Sequence, residues 1–209
     1  MMQKLSLLLS VLILFFTSCE KSSNSDIIVN EDVITFFELN ASQYIVNPSD
    51  SVLTGKYEKF SFSEGDTVSY DNWDVAFRGT TIIVNGGDSY NVNQPERIGN
   101  AAVYIATGVM SDIRTVDLSK LEQDNTSGLA IVDDLGISGD GWASYDMSTH
   151  IISPIAGRIL VFRTHDDKYA KMEIVYYYDS PNPDPSNGDY GGYYTFNYVY
   201  QPNDNNTSF

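Results

Sequence analysis

The chain has 209 residues, of which 28 are acidic and 12 basic, for a formal net charge of -16 at pH 7 and a pI of about 4.2. Neutralising a nucleic-acid backbone needs a basic surface, so this balance argues against DNA or RNA as a partner. Fifteen Tyr, ten Phe and fifteen Gly, with many Asn, Asp and Ser residues, point to numerous strands joined by polar turns in a single domain with a sizeable core.

The N-terminus carries a short basic region ending at Lys4, an apolar stretch over residues 5–16, and then Thr17, Ser18 and Cys19. The apolar stretch is too short to cross a bilayer as a helix but suits the hydrophobic part of an export signal. Cys19 is the one cysteine of the chain, which excludes an intrachain disulfide. Its place behind small residues resembles a bacterial lipoprotein signal, in which residues 1–18 are removed and Cys19 is acylated as the mature N-terminus. Residues 19–31 then read as the lipidated end and a polar tether.

The folded body begins near Asp32. Residues 33–39 predict a first strand and residues 40–44 a capped turn, with a loop over 47–55. Residues 57–62 alternate and are closed by Glu64, Gly65 and Asp66, and an extended run resumes over 67–70. Residues 73–84, from Trp73 through Arg78 to Val84, are read as one strand covered on both sides, because β-branched and aromatic side chains pack on a pleated surface at little rotamer cost. Asn85, Gly86 and Gly87 would reverse the chain after it. Residues 88–99 are a polar loop and residues 101–106 are extended.

Residues 111–141 form a long, weakly regular excursion, with a loop or single turn read over 109–113 and one helical turn over 118–122. Such segments are uncommon without function and are where sites are assembled on a rigid scaffold. Strand character returns after Trp142. Residues 158–163 and 169–178 flank a short polar turn and predict a β-hairpin; Ala170, Met172, Ile174 and Tyr176 fall on one face and Tyr169, Lys171, Glu173 and Val175 on the other. Residues 193–200 are the terminal strand and residues 202–209 a polar tail.

Several of these stretches together carry a resemblance. The Asn72-Trp73-Asp74 start, the Asn85-Gly86 turn, the 158–163 strand, the Ala170-Lys171 step and the 195–200 strand resemble the HmuY family of haem-binding lipoproteins of Bacteroidetes over roughly residues 32–201. The resemblance implies an all-β fold of antiparallel sheets of the HmuY-like type, with the irregular excursion bearing the ligand. It also implies haem (iron protoporphyrin IX) as cofactor and iron acquisition without catalysis. The expected place is the outer membrane, lipid-anchored and facing outward, with host haemoproteins and a TonB-dependent haem receptor as partners. A surface lipoprotein on the same scaffold that binds another tetrapyrrole, a protein or a carbohydrate is the alternative, with Trp73 and Trp142 as the rings to inspect for sugar stacking.

Haem iron takes axial His, Met, Cys or Tyr donors. The second ligand position of the family follows a Gly-Trp step; after Gly141-Trp142 that place falls on Met147, so the chain departs from a bis-histidine pattern and resembles the members with methionine axial ligands. Met110 is the methionine of the irregular excursion and the candidate for the opposite face. His150, three residues from Met147, is an alternative donor or a neighbour of a propionate. Met172 reads as core and His165 as an exposed turn residue. Thioethers are soft donors that favour ferrous iron. No phosphate-binding loop, nucleophile elbow or zinc-ligand spacing is present, so the expectation is a binding protein and not an enzyme.

Overall fold

The computed structural model describes residues 32–45 and 53–209; residues 1–31, with the export signal and Cys19, and residues 46–52 lie outside the described residues. Among the described residues thirteen strands follow one another: β1 (Ile34–Asn40), β2 (Tyr44–Ile45), β3 (Leu53–Thr54), β4 (Glu58–Ser61), β5 (Asp66–Val68), β6 (Val75–Arg78), β7 (Thr81–Val84), β8 (Ala102–Thr107), β9 (Ala143–Asp146), β10 (Ile151–Pro154), β11 (Arg158–Arg163), β12 (Tyr169–Tyr176) and β13 (Tyr193–Gln201). Short 3-10 turns occupy Met110–Asp112, Leu118–Lys120 and Pro185–Asn187, and no α-helix occurs among the described residues. The protein is all-β and its strand pairs are antiparallel.

Two sheets face each other. The larger has the order β1-β13-β12-β11-β8 and the smaller β5-β4-β6-β7. Aromatic residues fill the space between them: Phe60 meets Phe196 edge-on at 5.2 Å, Phe62 meets Phe162 at 5.1 Å and Phe77 meets Tyr194 at 4.7 Å. Each such ring removed from water contributes about 2 kcal/mol, and the tilted and edge-on geometries add to that. Alternation along the strands sorts the side chains as expected from the sequence as far as Ile174; a bulge between Ile174 and Tyr176 then leaves Tyr176, expected on the core face, 53% exposed. Leu160, Phe162, Ala170, Met172 and Ile174 enter this core, while Ile159, Val161 and Tyr169 belong to a second cluster on the outer face of the larger sheet.

Three expectations change. Residues 73–84 do not make one strand but the β6-β7 hairpin, which reverses at Gly79 and Thr80. Gly79 has φ +54, and a Cβ there would lie 2.0 Å from the Gln43 amide oxygen. One left-handed residue is enough to turn a run whose β-propensity suits either arrangement. Asn85 does not simply open a turn; it is a buried knot. Its amide donates to the carbonyls of Asp71 and Trp73, and its oxygen accepts from the N–H groups of Ile98 and Gly99.

The polar tail is tied down. Val116 N–H donates to the Thr207 carbonyl, Phe209 N–H donates to Arg114, and the Phe209 ring lies 4.7 Å from the ammonium of buried Lys171. Lys171 itself donates to the carbonyls of Met110 and Ile113, at 2.9 Å each. A buried ammonium needs such acceptors, and the last residues of the chain help to cover it.

The irregular excursion is anchored by one carboxylate. Asp124 accepts from the N–H groups of Val84 on β7 and Ala130 and from the Arg97 guanidinium at 3.1 Å. Both side chains of that ion pair are 1% exposed. Burial is the largest influence on the Asp124 carboxyl and pushes it up, against these hydrogen bonds and the Arg97 charge.

Candidate functional site

The β9-β10 hairpin is the element on which the site is built. Its base is fixed from below: Trp142 is buried against Tyr177 and Tyr194, its indole N–H donates to the Thr80 carbonyl at 3.0 Å, and Ile155 N–H donates to the Trp142 carbonyl. Its sides are fixed as well. Tyr145 N–H donates to the Leu135 carbonyl of the excursion, and Ile152 N–H donates to the Tyr178 hydroxyl beyond β12. Held in this way, the hairpin projects its tip, residues 147–150, into solvent.

The tip is a defined turn. The Asp146 carboxylate accepts from the Ser148 N–H and hydroxyl, which hold its carboxyl below the usual range, and His150 N–H donates to the Asp146 carbonyl at 2.8 Å. His150 closes the turn in the left-handed region with φ +60. Its Nδ1 is hydrogen-bonded to the Tyr145 hydroxyl, and the two rings lie 5.9 Å apart. Met147 extends outward and is 82% exposed.

Three cavities surround this hairpin. The first, about 620 Å³, lies between Tyr145, His150, Ile152, Tyr178 and the 184–190 loop. The second, about 640 Å³, is lined by Tyr44, Thr80, Ile152, Tyr177 and Tyr190. The third, about 580 Å³, lies between Met147, Tyr145, Thr80 and the 133–137 segment. They are contiguous in their walls: Ile152 and Tyr190 separate the first two, Thr80 joins the second to the third, and Tyr145 divides the third from the first. Volumes of this size suit small-molecule ligands.

The walls are apolar and aromatic, and the rim is acidic. Ile137 stands exposed beside Met147 on the third cavity, and Tyr190 and Tyr44 stand exposed on the second, uncovered apolar surface of the kind that marks a binding face. Asp133, Asp134, Asp184 and Asp189 line the cavities, whereas no Lys or Arg does. Burial raises the hydroxyls of Tyr177 and Tyr178 above the usual tyrosine range, so both are neutral walls at pH 7.

The residues singled out in the sequence are placed very differently. Met147 and His150 are at the hairpin tip, with His150 on the first cavity and Met147 on the third. Met110 is elsewhere: it is buried on the outer face of the larger sheet with Val116, Ile159, Val161, Tyr169 and Val199, and lines none of the three cavities. The structure therefore does not bring Met110 and Met147 to one slot. The 3-10 turn at Met110–Asp112 is pinned by Lys171, so the Met110 side chain completes a core where a projecting ligand was expected. Met172 is core, as read.

His165 is not a free turn residue. Its Nδ1 lies 2.7 Å from Oδ1 of buried Asp74, and its N–H donates to the same oxygen at 2.8 Å. The hydrogen bond to Asp74 raises the imidazole above its ordinary value. Asp74, His165 and Asp166 bring three potential ligand atoms together, but both Asp74 oxygens are engaged, the second by the Phe62 N–H at 2.7 Å. The group is a latch between the β11-β12 turn and the smaller sheet. Trp73 and Trp142 are 0% and 2% exposed, so neither offers a face to a sugar.

Sequence reasoning missed the tyrosines of the site, Tyr44, Tyr145, Tyr177, Tyr178 and Tyr190. The surplus of Tyr was visible, but strand alternation does not say which rings end at one open end of the sandwich.

Comparisons with known proteins complete the description. No protein-family profile matches the chain, and no curated protein does. Among solved structures, a candidate HmuY-like haem-binding protein from Bacteroides vulgatus ATCC 8482 is similar at 14% identity with a TM-score of 0.45, over 82% of this chain and 92% of that one. A candidate lipoprotein from Bacteroides fragilis NCTC 9343 is similar at 16% identity and a TM-score of 0.39, over 82% and 89% of the two chains. The apo HmuY analogue of Tannerella forsythia is similar at 12% identity and 0.39, over 83% and 96%.

Proposed function

We propose that this chain is a haem-binding protein that captures haem at the end of the sandwich marked by the β9-β10 hairpin, without catalysis. The observation that carries the reading is the hairpin tip itself, where Met147, His150 and Tyr145 stand within a few residues of one another beside contiguous apolar cavities. The sequence resemblance to the HmuY haem-binding lipoproteins, through which Met147 was singled out, supports the same reading.

The donor set fits the group. Haem, when bound, supplies an iron that needs one or two axial donors and a flat macrocycle that needs an apolar slot. Met147 or His150 would hold the iron from the hairpin, and Ile152, Tyr190, Tyr44 and Ile137 would wall the macrocycle. Met110, packed on the outer face of the larger sheet, would not take part in holding the iron. The cavity walls offer no Lys or Arg to pair with the propionates. Lipidation at Cys19, display from the outer membrane, uptake from host haemoproteins and delivery to a TonB-dependent receptor belong to the same proposal and rest on the N-terminal sequence and the resemblance.

Titration with haem under oxidising and reducing conditions tests it. A saturable Soret band at one haem per chain is expected, and its absence in both states refutes the reading. A second reading has its own observation: exposed Tyr44 and Tyr190 with an acidic, lysine-free rim would also suit an uncharged carbohydrate. Polysaccharide binding that persists while haem fails to bind would select it.

A further inference from the structure

The geometry points to the second cavity as a site for an organic cation, held by its quaternary ammonium group against the rings of Tyr44, Tyr177 and Tyr190. The inference goes beyond the haem reading and does not rest on it.

Three rings line this cavity, and two of them have free faces. Tyr177 is buried and packed on Trp142, Tyr178 and Tyr194. Tyr44 and Tyr190 are 62% and 75% exposed, and among the described residues neither has another ring or a cation against it. A ring face attracts a cation through its quadrupole, and quaternary ammonium ligands are recognised in this way by clustered aromatic side chains.

The backbone sets these rings at one cavity. Gly191 and Gly192 both have positive φ; a Cβ on Gly191 would collide with the Tyr177 ring, and one on Gly192 with the backbone of Ser42. Gly192 N–H donates to the Tyr177 carbonyl at 3.0 Å, and its carbonyl accepts from the Ala41 N–H at 2.7 Å. The glycine pair lets the chain pass between Tyr177 and the segment after β1. Tyr190 immediately precedes that passage and Tyr44 lies two residues beyond Ser42, so both are carried to the same opening.

The charge around the cavity has one sign. No charged residue lines it, but the neighbouring cavities carry Asp133 and Asp134 on one side and Asp184 and Asp189 on the other, with no Lys or Arg on any of the three. Asp133 accepts from the Thr81 hydroxyl at 2.6 Å, next to the Thr80 wall. In a chain of formal net charge -16, this end draws cations and repels anions. A primary ammonium would need hydrogen-bond acceptors when it leaves water, yet the Gly79 carbonyl is engaged by the Tyr194 hydroxyl and the Thr80 carbonyl by the Trp142 indole. A fully methylated ammonium has no N–H to satisfy, which fits walls of ring and methyl.

The test titrates the full chain with choline chloride, with dimethylbutanol as its uncharged carbon isostere, and with phosphocholine, read by calorimetry and by saturation-transfer NMR of the methyl signal. Choline is expected to bind at one site at least about tenfold more tightly than the isostere. Phosphocholine should bind more weakly than choline, because the acidic rim opposes its phosphate. Tyr190→Ala and Tyr44→Ala, both at exposed positions, should each weaken choline by about fivefold or more, whereas Tyr190→Phe keeps the ring face and should retain binding. Equal binding of choline and the isostere would show an apolar hollow without cation recognition and overturn the inference, as would no choline binding at millimolar concentration. Phosphocholine binding more tightly than choline would place recognition in the phosphate, as for a lipid headgroup, and overturn it too. No haem enters these measurements, so their failure leaves the haem reading standing.

Discussion

Replacing Asp124 by Asn tests how the irregular excursion is held. The substitution keeps the shape but removes the charge opposite Arg97, whose side chain is 1% exposed, and it sets an amide NH2 among the donors of Val84, Ala130 and Arg97. Breaking one side of a buried pair costs about 3–5 kcal/mol, mostly because the partner charge is left without compensation. For a chain of this size each kcal/mol lowers Tm by about 2–4 °C, so a fall on the order of 10 °C is expected. Adding Arg97→Met removes the stranded guanidinium, and the double variant should therefore be more stable than Asp124→Asn alone. Urea unfolding followed by tryptophan fluorescence is the assay, because both Trp73 and Trp142 are buried and Arg97 lies 5.9 Å from the Trp73 ring. A loss below about 1 kcal/mol for Asp124→Asn, or a double variant less stable than the single one, would refute the reasoning.

Other outcomes follow from the same contacts. His165 has its imidazole raised by Asp74, so its contribution is fully present below the ordinary value of about 6.5 and is lost as pH rises through the raised folded value; the gap in urea midpoint between wild type and His165→Gln should be widest in mild acid and narrow in base, and a gap that widens in base would count against it. Removing residues 203–209 takes away the Thr207 and Phe209 backbone contacts and the ring over Lys171, which should cost about 2–4 kcal/mol in thermal or urea unfolding; an unchanged midpoint would show the tail to be ornamental. Cys19→Ser, made in the native cell, should lose its lipid label and leave the membrane fraction, since stable anchoring needs more than one acyl chain and has no other source in the proposal. Unchanged partitioning would point to another anchor.

Much of the fold could be read from period-2 alternation. The β11-β12 hairpin, the division of Ala170, Met172 and Ile174 from Tyr169 and Lys171, the terminal strand and the two single turns near Met110 and Leu118 all follow from local pattern. What was not legible depended on distant partners. Gly79 turns because Gln43 and Tyr194 meet it there, and His165 is engaged because Asp74, ninety-one positions away, lies under it. Met110 was placed in the site as the methionine of the irregular excursion, but a fully buried lysine from β12 draws its turn onto the sheet. Met147 was legible as projecting because it sits beside Ser148, Thr149 and His150 in a loop entering Ile151. Tyr145 was not, since its meaning comes from a hydrogen bond across the turn to His150.

The most direct measurement is a crystal structure of the chain soaked with haem. The account predicts the macrocycle at the hairpin end, against Ile152 and the exposed tyrosines, with the iron within bonding distance of a Met147 or His150 atom and Met110 still buried on the outer face of the larger sheet. Iron bonded to Met110, or haem lodged away from residues 143–154, would contradict it.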